Sequence, residues 1–137
     1  MLVLEEVLYS RLAAGTALTT LLGGTSIYNA LGAEGTAIPY PLVIFTKSSG
    51  LDDNDTPHRA KTLVYQITAI SDKGKKEAEQ IDNAIDTLMH NADLGSMSGW
   101  YDYWCARESD ISYNEMTEGG QVLWHEGALY RVRIATN

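Results

Sequence analysis

Between Lys61 and Asn91 the hydrophobic period changes from 2 to about 3.6. That switch demands a strand followed at once by a helix. From Thr62 to Ile70, Leu63, Tyr65, Ile67 and Ala69 point one way, and Val64, Gln66, Thr68 and Ile70 the other. The run is rich in β-branched and aromatic residues, as half-buried strands are. Ser71 and Asp72 then offer side-chain oxygens to the unpaired N–H groups of a helix start. From Lys75, residues Ala78, Ile81, Ile85 and Leu88 make one apolar stripe, flanked by Ala84 and Met89. Lys76, Glu79, Asp82, Asn83 and Asp86 occupy the opposite, wet face. The nearest apolar surface for the stripe is the sheet containing Thr62–Ile70. No residue of this unit suggests chemistry, so it reads as a scaffold.

The remaining segments add to that unit. Leu2 to Ala14 reads as a helix with Leu4, Val7, Leu8 and Leu12 as its stripe, ended by a left-handed turn at Gly15. Thr16 is placed to cap a second short helix with Leu18, Leu21 and Leu22 inward. Ser26–Tyr28 is a short extended piece, and Gly32–Ala37 reads as loop. Pro39 and Pro41 lead into Leu42–Thr46, whose near-continuous apolar character suggests burial on both faces. Lys47 to Ala60 lacks a pattern and reads as a mobile surface loop. Asn91–Gly99 is a second loop. Trp100 to Ala106 is a strand, continuing bent or bulged towards Tyr113. Trp100, Asp102 and Trp104 take one side of it, and Tyr101, Tyr103 and Cys105 the other. Thr117–Gly120 is a turn, and Val122 begins the return strand. Gly127 marks a bulge or break, after which Ala128, Tyr130, Val132 and Ile134 alternate with Leu129, Arg131 and Arg133. The expected fold is α+β: a mostly antiparallel sheet of four to five strands with two main helices on one face, as a single domain over residues 1–137.

Charge and composition restrict function. The net charge of −8 withholds the basic surplus on which duplex binding depends. The start, Met1-Leu-Val-Leu-Glu-Glu, carries acids where a signal peptide carries bases. Runs such as Leu42–Phe45 are far too short to cross a bilayer. The single cysteine, Cys105, excludes an internal disulfide and suits a small buried residue.

The candidate chemical sites fail on spacing. A calcium loop starting at Asp52 needs Gly and Glu where Pro57 and Leu63 stand. His58, His90 and His125 lie on a loop, a helix end and a strand, and no pair has metal-site spacing. His90 is better placed as a partner for the negative end of the helix. Gly23-Gly24 and Gly119-Gly120 form no phosphate-binding loop. The residues therefore call for no cofactor, no metal and no catalysis.

The aromatic residues say more. Trp100, Tyr101, Tyr103, Trp104, Tyr113, Trp124 and Tyr130 crowd the last hairpin, and an alternating strand cannot bury both faces without cover. Packed core accounts for about half of them. The rest suit a protein interface, which uses exposed Trp and Tyr. Trp100, Tyr101, Tyr103, Trp104, Tyr113 and Trp124 are thus the expected subunit interface. Lys47, Asp52, Asp53, Asp55, His58 and Arg59 of the patternless stretch are the expected partner contacts. Stacking of single-stranded nucleic acid needs interleaved bases, and only Arg107, Arg131 and Arg133 lie among many acids here.

Four features, taken in order, resemble the tail-completion, tail-terminator or head–tail joining proteins of long-tailed bacteriophages. They are the opening helix with Ala17-Leu-Thr-Thr-Leu-Leu-Gly23 and Ile27-Tyr28; Ile38-Pro-Tyr-Pro-Leu-Val-Ile44; the strand–turn–helix from Tyr65 to Leu88; and Ala128-Leu-Tyr-Arg-Val-Arg-Ile134. The acidic stretch Leu51–His58 and the aromatic-rich Trp100–Trp104 have no counterpart in the resemblance. What the resemblance implies is a structural virion protein without enzyme activity or cofactor. It implies a homo-oligomeric, six-fold ring that completes the tail tube, joins it to the head through tail-tube and connector partners, and is assembled in the host cytoplasm. DNA would pass through without specific binding, and no membrane is involved. The alternatives are a small ligand-binding or regulatory module that dimerises through its sheet, and a cysteine–histidine enzyme with a site built from distant residues.

Overall fold

The computed structural model describes residues 2–29, 40–54 and 57–136, without side chains for Met97, Asp102 and Tyr103. Gly32–Ala37, read as loop, and Pro39 lie outside the described residues. The elements are α1 (Leu2–Ala14), α2 (Thr16–Leu22), β1 (Ile27–Asn29), β2 (Leu42–Asp52), β3 (Ala60–Ser71), α3 (Lys75–Met89), β4 (Ser96–Met97), β5 (Trp100–Met116) and β6 (Val122–Thr136). The strands form one sheet in the order β1-β2-β3-β6-β5-β4. Every neighbouring pair is antiparallel except β1 with β2, so the α+β expectation holds with a mixed sheet. Short β1 and β4 widen the expected four to five strands.

The β3–β6 pair forms the centre, in register from Ala60↔Ala135 to Ser71↔Trp124. Leu63 stands beside Val132, Tyr65 beside Tyr130 and Ile67 beside Ala128. All six are buried in one core, to which α3 contributes Ile81, Ile85 and Met89. Each such aliphatic side chain gains ~1.5–3 kcal/mol by leaving water. The buried row of α3 is Ala78, Ile81, Ile85 and Met89, whereas Leu88 is half-buried beside it. Leu88 turns instead towards the α1–α2 junction, where a Cβ on Gly15 would stand 2.4 Å from its Cδ1. Gly15 itself is extended (φ −75°), so this close approach, and not a left-handed turn, explains the glycine. Nearby, Arg11 Nε donates to the Leu88 carbonyl at 2.6 Å, which satisfies an end group of α3.

Helix α1 buries Leu4, Leu8 and Leu12, one above another at four-residue spacing. Helix α2 buries Leu18 and Leu22 the same way, and leaves Leu21 exposed beside that row, against expectation. Thr16 is the first helical residue and not a cap. Ser71 stands three residues before the cap. Its Oγ accepts from the N–H groups of Lys73 and Gly74 at 3.1 and 3.4 Å and donates to Glu77 Oε1 at 2.8 Å. It braces the turn, while Gly74 occupies the cap position.

Two further expectations are overturned. Lys47–Ala60 is not one loop: β2 continues through Asp52, pairing Lys47 with Tyr65 and Asp52 with Lys61 across a register shift at Lys47/Ser49. Backbone ladder bonds need no apolar side chains, so the polar composition concealed a strand extension. Gly127 makes no bulge either. It pairs with Thr68 on one side and Ile111 on the other within an unbroken β6. A Cβ there would lie 2.2 Å from the Ile67 carbonyl oxygen, so glycine permits close contact of the central strands. Among the described residues, no helix is long and apolar enough to cross a membrane.

Ile85→Asp buries an unpaired charge in the core, at a cost of several kcal/mol against a total stability of about 5–15 kcal/mol. It is expected to unfold the chain. Gln80→Ala, on the exposed face of α3, should leave the thermal midpoint nearly unchanged. Thermal denaturation followed by circular dichroism checks both.

Candidate assembly surfaces

The aromatic strand β5 carries register shifts at Asp102/Trp104 and Arg107/Ser109. The first shift inverts the alternation. Trp100 stands beside Thr136 and packs against the core, whereas Trp104 stands beside Arg133 and faces away from the helices. The expectation that Trp100 and Trp104 share a face therefore fails, because one inserted residue moves all that follow to the other side. Trp104 is 41 % exposed and Tyr113 49 %, with Tyr101 also exposed. Trp100 and Trp124 are half-buried, and Tyr130 lies wholly in the core. The side chain of Tyr103 is outside the description. Met116, 72 % exposed, lies on the opposite face of β5 from Tyr113, without any aromatic signal to reveal it.

Tyr113 stacks on His125, ring centres 4.3 Å apart, and His125 Nε2 lies 2.7 Å from Glu115 Oε1. Burial, then the Glu115 charge, pushes the Tyr113 hydroxyl above its ordinary pKa. These three residues, with Ile44, Thr46, Gln66, Thr68 and Ile70, line a groove of about 210 Å³ on the face of the sheet away from the helices.

The expected partner segment sits at the end of the sheet occupied by Trp104. Asp53 pairs with Arg133, the ladder neighbour of Trp104. Lys61 Nζ lies 2.9 Å from Asp52, and its hydrogen bond holds that carboxyl below its ordinary pKa. The turn is tied down further. Arg59 N–H donates to Thr136 Oγ1 at 2.9 Å, and Ala60 N–H donates to Asn54 Oδ1 at 3.2 Å. Lys47 and His58 are exposed. Asp55 lies outside the described residues. Asp52 and Asp53 thus have cationic partners within the chain.

The structure also builds a polar cluster that sequence patterning missed. Asp82, assigned to the wet face of α3, is buried, because β5 brings Arg107 over it. Arg107 Nη1 and Nη2 donate to the two Asp82 oxygens at 3.0 Å each. Arg107 Nε donates to Asp110 at 3.0 Å, and Nη1 to the Tyr130 hydroxyl at 3.2 Å. These bonds, that to Asp82 foremost, raise the guanidinium pKa, so it stays charged. The Tyr130 hydroxyl, raised mainly by burial, donates to Asp86 at 3.3 Å. Glu79, Asn83, Ser112 and Glu126 complete a groove of about 380 Å³ around the pair. Only the joint presence of an acid on α3 and an arginine on a distant strand signalled this, and nothing local in the sequence joins them.

Chemically only the central pair is balanced: Arg107 holds the Asp82 carboxylate bidentately, while Glu79, Asp86, Asp110 and Glu126 leave the surroundings acidic. His90, expected in the last helical turn, lies just beyond α3, where its Nδ1 accepts the Arg107 N–H at 3.1 Å. Cys105 is fully buried. Among the described residues, no group of three or more His, Cys, Asp or Glu could hold a metal ion.

Comparison with known proteins gives a family and a fold likeness. The family described as "Tail completion protein gp17" matches residues 6–134. A chain from a solved structure titled "Virion of native gene transfer agent (GTA) particle" superposes with a TM-score of 0.79 at 19 % identity, over 97 % of this chain and 95 % of that one. At that identity the likeness concerns the fold. No curated protein sequence matches.

Arg107→Leu leaves Asp82 buried and unpaired, and is expected to destabilise the chain by ~3–5 kcal/mol. Arg131→Leu breaks a bidentate pair with Glu108, but in solvent, and should shift the midpoint far less. Urea denaturation of both variants measures the contrast.

Proposed function

Because the chain belongs to the tail completion protein gp17 family, we propose that its copies close into a ring, six-fold in the simplest case, that completes the tail tube and joins it to the head. The coarser conclusion, a structural role in a phage tail, follows from family membership itself. A tail component of this kind works by contact and not by catalysis, and its partners are other structural proteins of the virion.

The observation that carries the ring reading is the row of exposed Tyr101, Trp104 and Tyr113 on one face of β5, with exposed Met116 on the opposite face near its end. Large apolar side chains left in solvent by the monomer are what a neighbouring subunit covers. The β2–β3 turn, with His58 and Arg59 exposed beside that row, is the proposed contact to tail tube or head connector. The acidic surplus of the chain suits a channel through which DNA phosphate must slide without adhering. The likeness to a chain of a gene transfer agent virion supports the coarser setting, a component of a virion particle.

Native mass spectrometry and negative-stain imaging of the purified chain and of assembled tails test this reading. Closed rings support it, and a two-fold dimer as the end state favours a small regulatory module instead. Trp104→Ala should give folded monomers where the parent chain forms rings. An interface tryptophan contributes ~2 kcal/mol or more, and a closed ring loses that at every contact. Sedimentation with circular dichroism reads both properties at once, and complete rings from the variant would remove Trp104 from the interface.

A further inference from the structure

Among the described residues, the sheet leaves two long strand edges without cover, at diagonally opposite corners. On one side, β1 pairs only with Val43–Phe45, so the outer edge of β2 is bare from Thr46 to Asp52 among the described residues. On the other side, β4 pairs only with Trp100 and Tyr101 of β5. The residues after α3 meet β5 a little further on, where Asn91 N–H donates to the Cys105 carbonyl and His90 accepts from Arg107 N–H. Beyond that, Glu108 to Met116 has no backbone partner on its outer side among the described residues. Proteins ordinarily keep edges short or blunt them, because a bare edge recruits another strand.

We infer that the bare β2 edge of one copy pairs antiparallel with the bare β5 edge of the next, making the sheets of the ring continuous. This rests on the ring reading above and names the contact by which the ring closes. Three observations select a second copy of the chain as the occupant. The first is direction. The ladder Thr46–Gln66–Leu129–Ser109 runs straight across the sheet, and β2 and β5 traverse it in opposite senses. Copies placed side by side in one orientation therefore meet antiparallel. The second is position. The β2 edge is bare on one side of that ladder and the β5 edge on the other, so the two fit only with a stagger. A sheet closed into a ring requires a stagger of that kind. The third is chemistry. Leu51 is 67 % exposed on the same face of the sheet as Tyr113 and Ile111. Glu108, Asp110 and Glu115 lie along the β5 edge, while exposed Lys47 lies on the β2 edge. Main-chain bonds supply the affinity of such strand addition, and the flanking side chains its register. The contact is heterologous, different surfaces meeting at each step, and so it propagates around a ring instead of ending at a dimer.

Cysteine cross-linking tests the contact directly. Lys47→Cys and Asn114→Cys place thiols on the two edges at exposed positions, and Cys105 is buried away from reagent. A short bis-maleimide, applied to the purified chain and to assembled tails, should give no product with either variant alone. An equimolar mixture should give a covalent dimer, and the double variant a ladder that stops at the subunit number of the ring. Leu51→Lys should abolish rings while leaving the circular dichroism spectrum intact. A dimer from one variant alone would mean that like edges meet, and would overturn the proposal. Rings seen by native mass without any cross-link would overturn the edge contact and leave the ring reading standing. Absence of rings both in solution and on tails would remove the ring reading and this contact with it.

Discussion

Burial of Ala78, Ile81, Ile85 and Met89 of α3 against β3 and β6 is the contact on which the other elements depend. The two strands form the centre of the sheet, and Gly127 lets them approach more closely than any side chain there would allow. Helix α2 reaches the core against α3, and α1 against β1, α2 and α3, with Gly15 fitted under Leu88 and Arg11 bonded to the end of α3. The outer strands in turn attach to a centre already closed on its helix side.

Covering one face with helices leaves the other face, and both edges, to be managed by other means. Where β5 crosses α3, a bidentate arginine–aspartate pair with Tyr130 replaces apolar packing. Such a pair is costly to break but contributes less than hydrophobic packing of equal volume. Its effect is to tie the long β5–β6 hairpin to α3. Beyond it the hairpin carries exposed Tyr113 and Met116. The chain thus bonds in place a strand whose aromatic face it leaves partly in water.

Much of this was legible in residue order. The strand Thr62–Ile70, the α3 stripe apart from its last member, the first helix and the alternation from Ala128 to Ile134 follow from periodicity alone. So did the exposure of some of the hairpin aromatics. Three things were not. The strand character of Lys47–Asp52 was hidden, because a ladder satisfies backbone groups whatever the side chains are. The faces of Trp100 and Trp104 depended on a single inserted residue, which period-two counting cannot foresee. The burial of Asp82 required an arginine twenty-five positions away in the chain, and a helical wheel counts only the residues of its own helix.

What the amino-acid sequence determined by itself was local: which segments are helix or strand, which faces are apolar, and that no local motif for metal, phosphate or catalysis is present. These follow from dihedral preference and hydrophobic period, and both act over a few residues. The tertiary structure alone decided which carboxylate is paired and which aromatic is left in water. It also decided which strand edges remain bare. Pairing, exposure and edge cover are relations between segments far apart in the chain, and they exist only once the central strands have closed over α3.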